Sequence, residues 1–143
     1  MQISSSFTIS LHMLACIDRF EGERKVTSEF LAGSVNCNPV IIRRLLGLLK
    51  AAGLITVTRG SGGASLARPP EKITFYDVYL AVGCVDQGKL FHFHEKPSVS
   101  CPVGRNIHKA LDDKLERTQR AMEDEMRKIT LADVSRDLSE HTV

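Results

Sequence analysis

The chain has 143 residues, the length of one domain with a small appended element. At 43% hydrophobic and 25% charged residues it falls outside the ranges of disordered, collagen-like and membrane-spanning chains, and no apolar run reaches the roughly 18 residues of a membrane span. The net charge of +2 is segregated: Phe30 to Pro70 holds no Asp or Glu, while Arg43, Arg44, Lys50, Arg59 and Arg68 add five positive charges, leaving 14 basic against 17 acidic residues elsewhere. A basic segment between acidic flanks is what a surface facing a polyanion looks like.

Ser4-Ser5-Ser6 offers a cap for a first helix whose apolar positions Phe7, Leu11, Leu14 and Ala15 recur at helical spacing and end near Phe20. Thr27 or Ser28 caps a second helix of barely two turns, broken at Asn36. Asn38 before Pro39 predicts a third helix with Ile41, Ile42, Leu45, Leu46, Leu48 and Leu49 on its buried side, closed by Gly53. The period then changes: Leu54 to Thr58 and a run through Leu66 flank Arg59-Gly60-Ser61-Gly62-Gly63, which predicts a β-hairpin with a glycine-rich tip. Pro69-Pro70 ends this unit, and Thr74 opens a short helix through Val82.

Gly83 to Cys101 shows no period, and its length points to a role of its own. After Pro102, a long helix from about Gly104 carries Ile107, Leu111, Leu115, Thr118, Met122, Met126 and Ile129 at spacings that repeat every eleven residues, one apolar stripe along a nearly straight helix. The stripe is too long for so small a domain to cover, so its natural cover is the same helix of a second copy, with packing on its own domain as the alternative. Thr130 caps a last short segment, and Asp137 to Val143 is expected to fray.

Helix, turn, helix and two-stranded hairpin is the order of a winged helix-turn-helix, and the acid-free segment coincides with its second helix and wing. The fold class expected is mainly α with a small β-hairpin wing (α+β): a winged head over residues 1–83, a loop of unassigned role over 84–101, and a dimerisation helix with tail over 102–143. Asn38, Val40, Ile41, Arg43 and Arg44 are placed to meet the major groove, the arginines as readers of guanine edges, as phosphate contacts or as part of a solvated face. Thr27 and Ser28 would offer hydroxyls and free N–H groups to a phosphate, or serve as plain caps, and Lys50 is a phosphate contact. Arg59 suits the narrow minor groove, beside Gly60, Gly62 and Gly63, which let the backbone approach a duplex.

Cys16, Cys37, Cys84 and Cys101 contain no CxxC pair and read first as reduced, mostly buried thiols of a cytoplasmic protein, with no secretory signal legible at the N-terminus. Cys101, just before the first turn of the long helix, is the best redox candidate. His92 and His94 sit in the loop with Glu95 nearby, a pattern commoner in solvated loops than in metal sites. Catalytic motifs are missing from the sequence, so no enzyme is expected.

The opening Met1-Gln2-Ile3-Ser4-Ser5, the stretch Asn38-Pro39-Val40-Ile41-Ile42-Arg43-Arg44-Leu45-Leu46, the wing Val57-Thr58-Arg59-Gly60-Ser61-Gly62-Gly63 and Cys101-Pro102-Val103 resemble the Rrf2 family of bacterial transcriptional regulators, over about Met1 to Asp133. The resemblance implies a homodimer that binds double-stranded DNA and mostly represses, with the long helix as dimer interface and Arg59 as the wing arginine of the minor groove. Several members hold an iron-sulfur cluster through three cysteines in the loop before that helix. Only Cys101 stands there in this chain, so the resemblance is closest to the branch without a cluster, and no metal or cofactor is expected. The inducing signal, a small molecule or a redox change, is left open. So are a thiol- or metal-responsive sensor and a winged-helix module that binds protein.

Overall fold

In the computed structural model, residues 4–59, 63–83 and 88–141 are described. Gly60, Ser61, Gly62 and Cys84 lie outside them. Helix α1 (Ser5–Phe20) starts where Ser4 Oγ accepts from the N–H of Ser6. Helix α2 (Ser28–Val35) starts at Thr27, whose Oγ1 accepts from the N–H of Phe30, and ends at Asn36 in the left-handed region. That reversal leads straight into Asn38, whose Oδ1 accepts from Val40 N at 2.9 Å and opens α3 (Pro39–Ala51). Each cap fills an orphan donor of a first turn, which is why short polar residues sit at these places.

Strands β1 (Ile55–Thr58) and β2 (Gly63–Leu66) pair antiparallel, with Ile55 opposite Leu66 and Thr58 opposite Gly63. The hairpin is fixed to the segment between α1 and α2 by one main-chain and one side-chain contact: Ala64 N donates to Val26 O at 2.9 Å, and Leu66 N donates to the Glu21 carboxylate oxygen Oε2 at 2.8 Å. Beneath them lies one core in which Met13, Leu14, Ile17, Leu31, Ile42, Leu45, Leu49, Leu54 and Ile55 are buried. Burying each large aliphatic side chain is worth about 1.5–3 kcal/mol, so the core welds α1, α2, α3 and the hairpin into one head.

After a 3-10 turn (Pro70–Lys72), α4 (Phe75–Ala81) begins with a capping box between Thr74 and Asp77. Helix α5 (Pro102–Lys128) has 27 residues, about 40 Å. It is followed by α6 (Leu131–His141), whose start repeats the device: Thr130 N donates to Asp133 Oδ2 and Asp133 N to Thr130 Oγ1. Thr74 and Thr130 form an isolated antiparallel bridge, flanked by Phe75 N to Ile129 O and Leu131 N to Ile73 O.

The C-terminal region departs from expectation in two ways. The segment expected to fray from Asp137 is helical through His141, because Leu131 is buried in the head's core and Ser135 donates to Asp18 on α1. The apolar stripe of α5 is divided: Met122 and Met126 pack against the head's own core, and Ile129 leaves the helix to bond α4. Tyr79 of α4, fully buried, donates to Glu123, and the Arg127 guanidinium lies 4.0 Å over the Tyr76 ring. The lower end of α5 is thus part of the head, while Ile107, Leu111 and Leu115 are half-buried farther along.

Gly63 and Gly33 give opposite mutational expectations. Gly63 has φ +77, and a Cβ there would stand 2.7 Å from Val26 N. Gly63→Ala should therefore destabilise by about 1–3 kcal/mol. Gly33 lies inside α2 with nothing within 4 Å of a Cβ, so Gly33→Ala should stabilise by about 0.5–1 kcal/mol. Urea unfolding of the two variants checks both signs.

Candidate nucleic-acid interface

The outer face of α3 is set by its inner one. With Ile42, Leu45 and Leu49 turned to the core, Val40, Arg43, Arg44, Gly47 and Lys50 fall on the exposed side. Val40 is 64% and Ile41 38% exposed at the helix's first turn. Exposed apolar groups at the leading end of such a helix suit contact with thymine methyl groups. Between this face, the start of α2 and the hairpin runs a groove of about 460 Å³, lined among others by Thr27, Ser28, Glu29, Arg43, Lys50 and Gly63. Five of the residues expected to meet DNA, Thr27, Ser28, Arg43, Lys50 and Gly63, are therefore brought together around one groove.

Their local engagements differ from the expectation of free donors. Thr27 Oγ1 is used as the α2 cap, and Ser28 Oγ donates to Glu29 Oε2 at 3.2 Å. Arg43 Nη2 reaches Glu29 Oε1 at 3.4 Å, and Arg44 Nη2 donates to Ser6 Oγ of α1 at 3.2 Å. The two arginines thus part company, Arg43 leaning over α2 and Arg44 tying α3 to the start of α1. Gly63 needs no DNA to explain it, since its missing side chain is what lets the hairpin meet Val26. Arg59 follows β1, exposed; Gly60 and Gly62 lie outside the described residues.

Glu29 is the residue that sequence reading missed. It stands one position before the acid-free segment, yet it is the acid lining the groove. Its carboxyl is held below the ordinary carboxylate value, first by its own backbone N–H, then by the Ser28 hydroxyl and Arg43. The signal available was its place in the first turn of a helix that a tight turn brings beside α3.

The loop before α5 lies along that helix. Gln119 donates to Gly88 O and accepts from Leu90 N, and the Phe93 ring sits 4.4 Å from that of His108. A cleft of about 260 Å³ opens there, lined among others by Lys89, Phe91, Phe93, Leu115, Gln119 and Arg120. His92 and His94 are exposed, His94 meeting the His108 ring edge-on at 5.8 Å. Cys101 is exposed at the head of α5, where the N–H groups of Gly104 and Val103 hold its thiol below the ordinary value without forming a capping hydrogen bond.

Residues 3–137 match the family model described as Rrf2, iron-dependent transcriptional regulator. The chain is 43% identical over 136 residues to YwnA of Bacillus subtilis (strain 168), an HTH-type transcriptional regulator by name, covering 95% of this chain and 98% of YwnA. A solved structure described as a DNA-binding protein superposes with a TM-score of 0.72 at 40% identity, over 91% of this chain and 98% of its own. IscR of T. potens shares the fold at a TM-score of 0.71 and 22% identity, over 100% of this chain and 92% of its own.

The family description invokes iron, and an iron-sulfur cluster requires converging thiolates. Here Cys16 is buried in α1 with its sulfur on Ser34, Cys37 lies in the turn before α3, and Cys101 heads α5. Among the described residues no group of three or more His, Cys, Asp or Glu is placed to hold a metal ion. The three described thiols are therefore not placed together as ligands of a cluster, and Cys84 lies outside the described residues. The placement of the thiols has its own test: iodoacetamide at neutral pH should label Cys101 well ahead of Cys16, read by peptide mass spectrometry. Faster labelling of Cys16 would contradict its burial.

Proposed function

The chain belongs to the Rrf2 family of DNA-binding transcriptional regulators, and on that footing we propose that it is a homodimeric repressor working without an iron-sulfur cluster. The observation that carries the reading is the convergence of the exposed face of α3, the start of α2 and the hairpin around one groove that displays Arg43 and Lys50. Val40 and Ile41 would enter the major groove with Arg43 at its rim on phosphate, Arg59 would enter the adjacent minor groove, and Lys50 would hold phosphate. Arg44, bonded to Ser6, would steady α3 on α1.

Dimerisation would use the upper part of α5. Ile107, Leu111 and Leu115 keep part of their surface open, and Val103 is 68% exposed beside them; Met122, Met126 and Ile129, equally half-buried, would continue the seam where α5 meets the head. A two-fold pair of heads calls for a pseudo-palindromic operator with half-sites about 10 base pairs, or a multiple of that, apart. Repression would follow from covering promoter DNA in the cytoplasm. The signal would enter through the loop on α5, as a small molecule in its cleft or as oxidation of Cys101. The exposed, acidified Cys101 thiol is what favours the redox version.

The test is fluorescence anisotropy on the DNA upstream of the chain's own gene, with reduced and mildly oxidised protein. Arg59→Ala should cost about 1–3 kcal/mol and relax preference at one position, while Lys50→Ala should weaken binding evenly and flatten the salt slope by about one. Arg59→Ala binding as tightly as the parent would remove the wing from the account. Absence of steep salt dependence on any duplex would favour a protein-binding module. Visible absorption of anaerobically purified protein would contradict the cluster-free reading. For the dimer, light scattering should give two copies for the parent and one for Leu111→Glu; an unchanged mass would overturn the proposed interface.

A further inference from the structure

We infer that Glu29 is a built-in competitor for DNA phosphate: in the free protein its carboxylate occupies the first turn of α2 and holds Arg43, and a duplex must displace it to engage either. The inference rests on the DNA-binding reading and concerns how tightly that surface grips.

Three observations carry it. The first turn of α2 faces the groove beside α3 and the hairpin, the place where a phosphate would take up backbone N–H groups. Part of that turn is already in use: the Phe30 N–H serves Thr27 Oγ1, and the Glu29 carboxylate, held below its ordinary value first by its own backbone N–H, occupies the remaining space. The Ser28 hydroxyl donates to one oxygen of Glu29 at 3.2 Å, and Arg43 reaches the other at 3.4 Å. An anion, a hydroxyl donor and a guanidinium around the start of a helix are the parts of a phosphate contact, with the chain's own carboxylate in the phosphate's place.

The arrangement is a poor investment if its purpose is stability. Both partners of the ion pair are more than half exposed, and such surface pairs contribute little to folding. Facing a duplex, the same carboxylate matters more, since it repels phosphate and neutralises an arginine that would release a counterion. Competition of this kind keeps non-specific affinity low. A correct operator supplies base contacts that outweigh it, whereas random DNA does not.

Glu29→Gln keeps an oxygen for the Glu29 and Ser28 donors and removes the charge, so α2 retains its first turn. The expected result is binding tighter by roughly three- to tenfold at low salt, on a random duplex as well as on the upstream DNA, with a salt slope steeper by about 0.9. In an Arg43→Ala background the gain should shrink, because no arginine remains to be released. Thermal melting of each variant confirms that the fold is kept. An unchanged or weaker grip on the random duplex overturns the inference, as does a loss confined to one base pair of the upstream DNA, which would make Glu29 a reader of cytosine. The random duplex keeps the two readings apart: parent protein that binds it without preferring the upstream DNA counts against the operator, and Glu29→Gln without a gain on it counts against the competitor. A chain that binds no duplex overturns both.

Discussion

The contact between Val26 and the hairpin determines the geometry on which everything else depends. Ala64 hydrogen-bonds the Val26 carbonyl, and Gly63, lacking a side chain, lets the strand come that close to the segment just before α2. Val26 is itself buried, so the hairpin cannot tilt without disturbing the core. The wing is therefore not a loose appendage. Its angle to α3 is set by a main-chain bond and a steric limit, and that angle decides whether Arg59 and the face of α3 can reach neighbouring grooves of one duplex.

A second constraint ties the long helix to the head. Because α4 and α6 start side by side at Thr74 and Thr130, and Met122, Met126 and Glu123 meet the core and Tyr79 between them, α5 leaves the head in a fixed direction. A movement at the upper end of α5, where the loop, the cleft and Cys101 lie, would reach the head through a helix rather than through a flexible linker. That arrangement is what a signal-dependent spacing of two heads would need.

Much of the fold is legible in the sequence because it is written in local chemistry. Ser4, Thr27, Asn38, Thr74 and Thr130 each mark a helix start by a side chain that needs only its neighbours, and Asn36 marks a reversal in the same way. The hairpin follows from period and glycine. What could not be read depends on distances across the chain. Gly63 looks like a tip glycine until Val26 is seen against it, and Arg43 and Arg44 look equivalent until one meets Glu29 and the other Ser6. The stripe on α5 is a true period whose lower part is claimed by the head, a division no spacing reveals. In the candidate site, the exposed residue types of α3 were legible and their internal partners were not.

If two such heads grip one duplex together, hydroxyl-radical footprinting of the protein on its upstream DNA will show it. Two matched patches of protection are expected, related by a dyad and set about one helical turn, or a whole number of turns, apart, with minor-groove protection where the wings lie. Protection of a single patch, or none at concentrations that saturate binding, would contradict the paired grip.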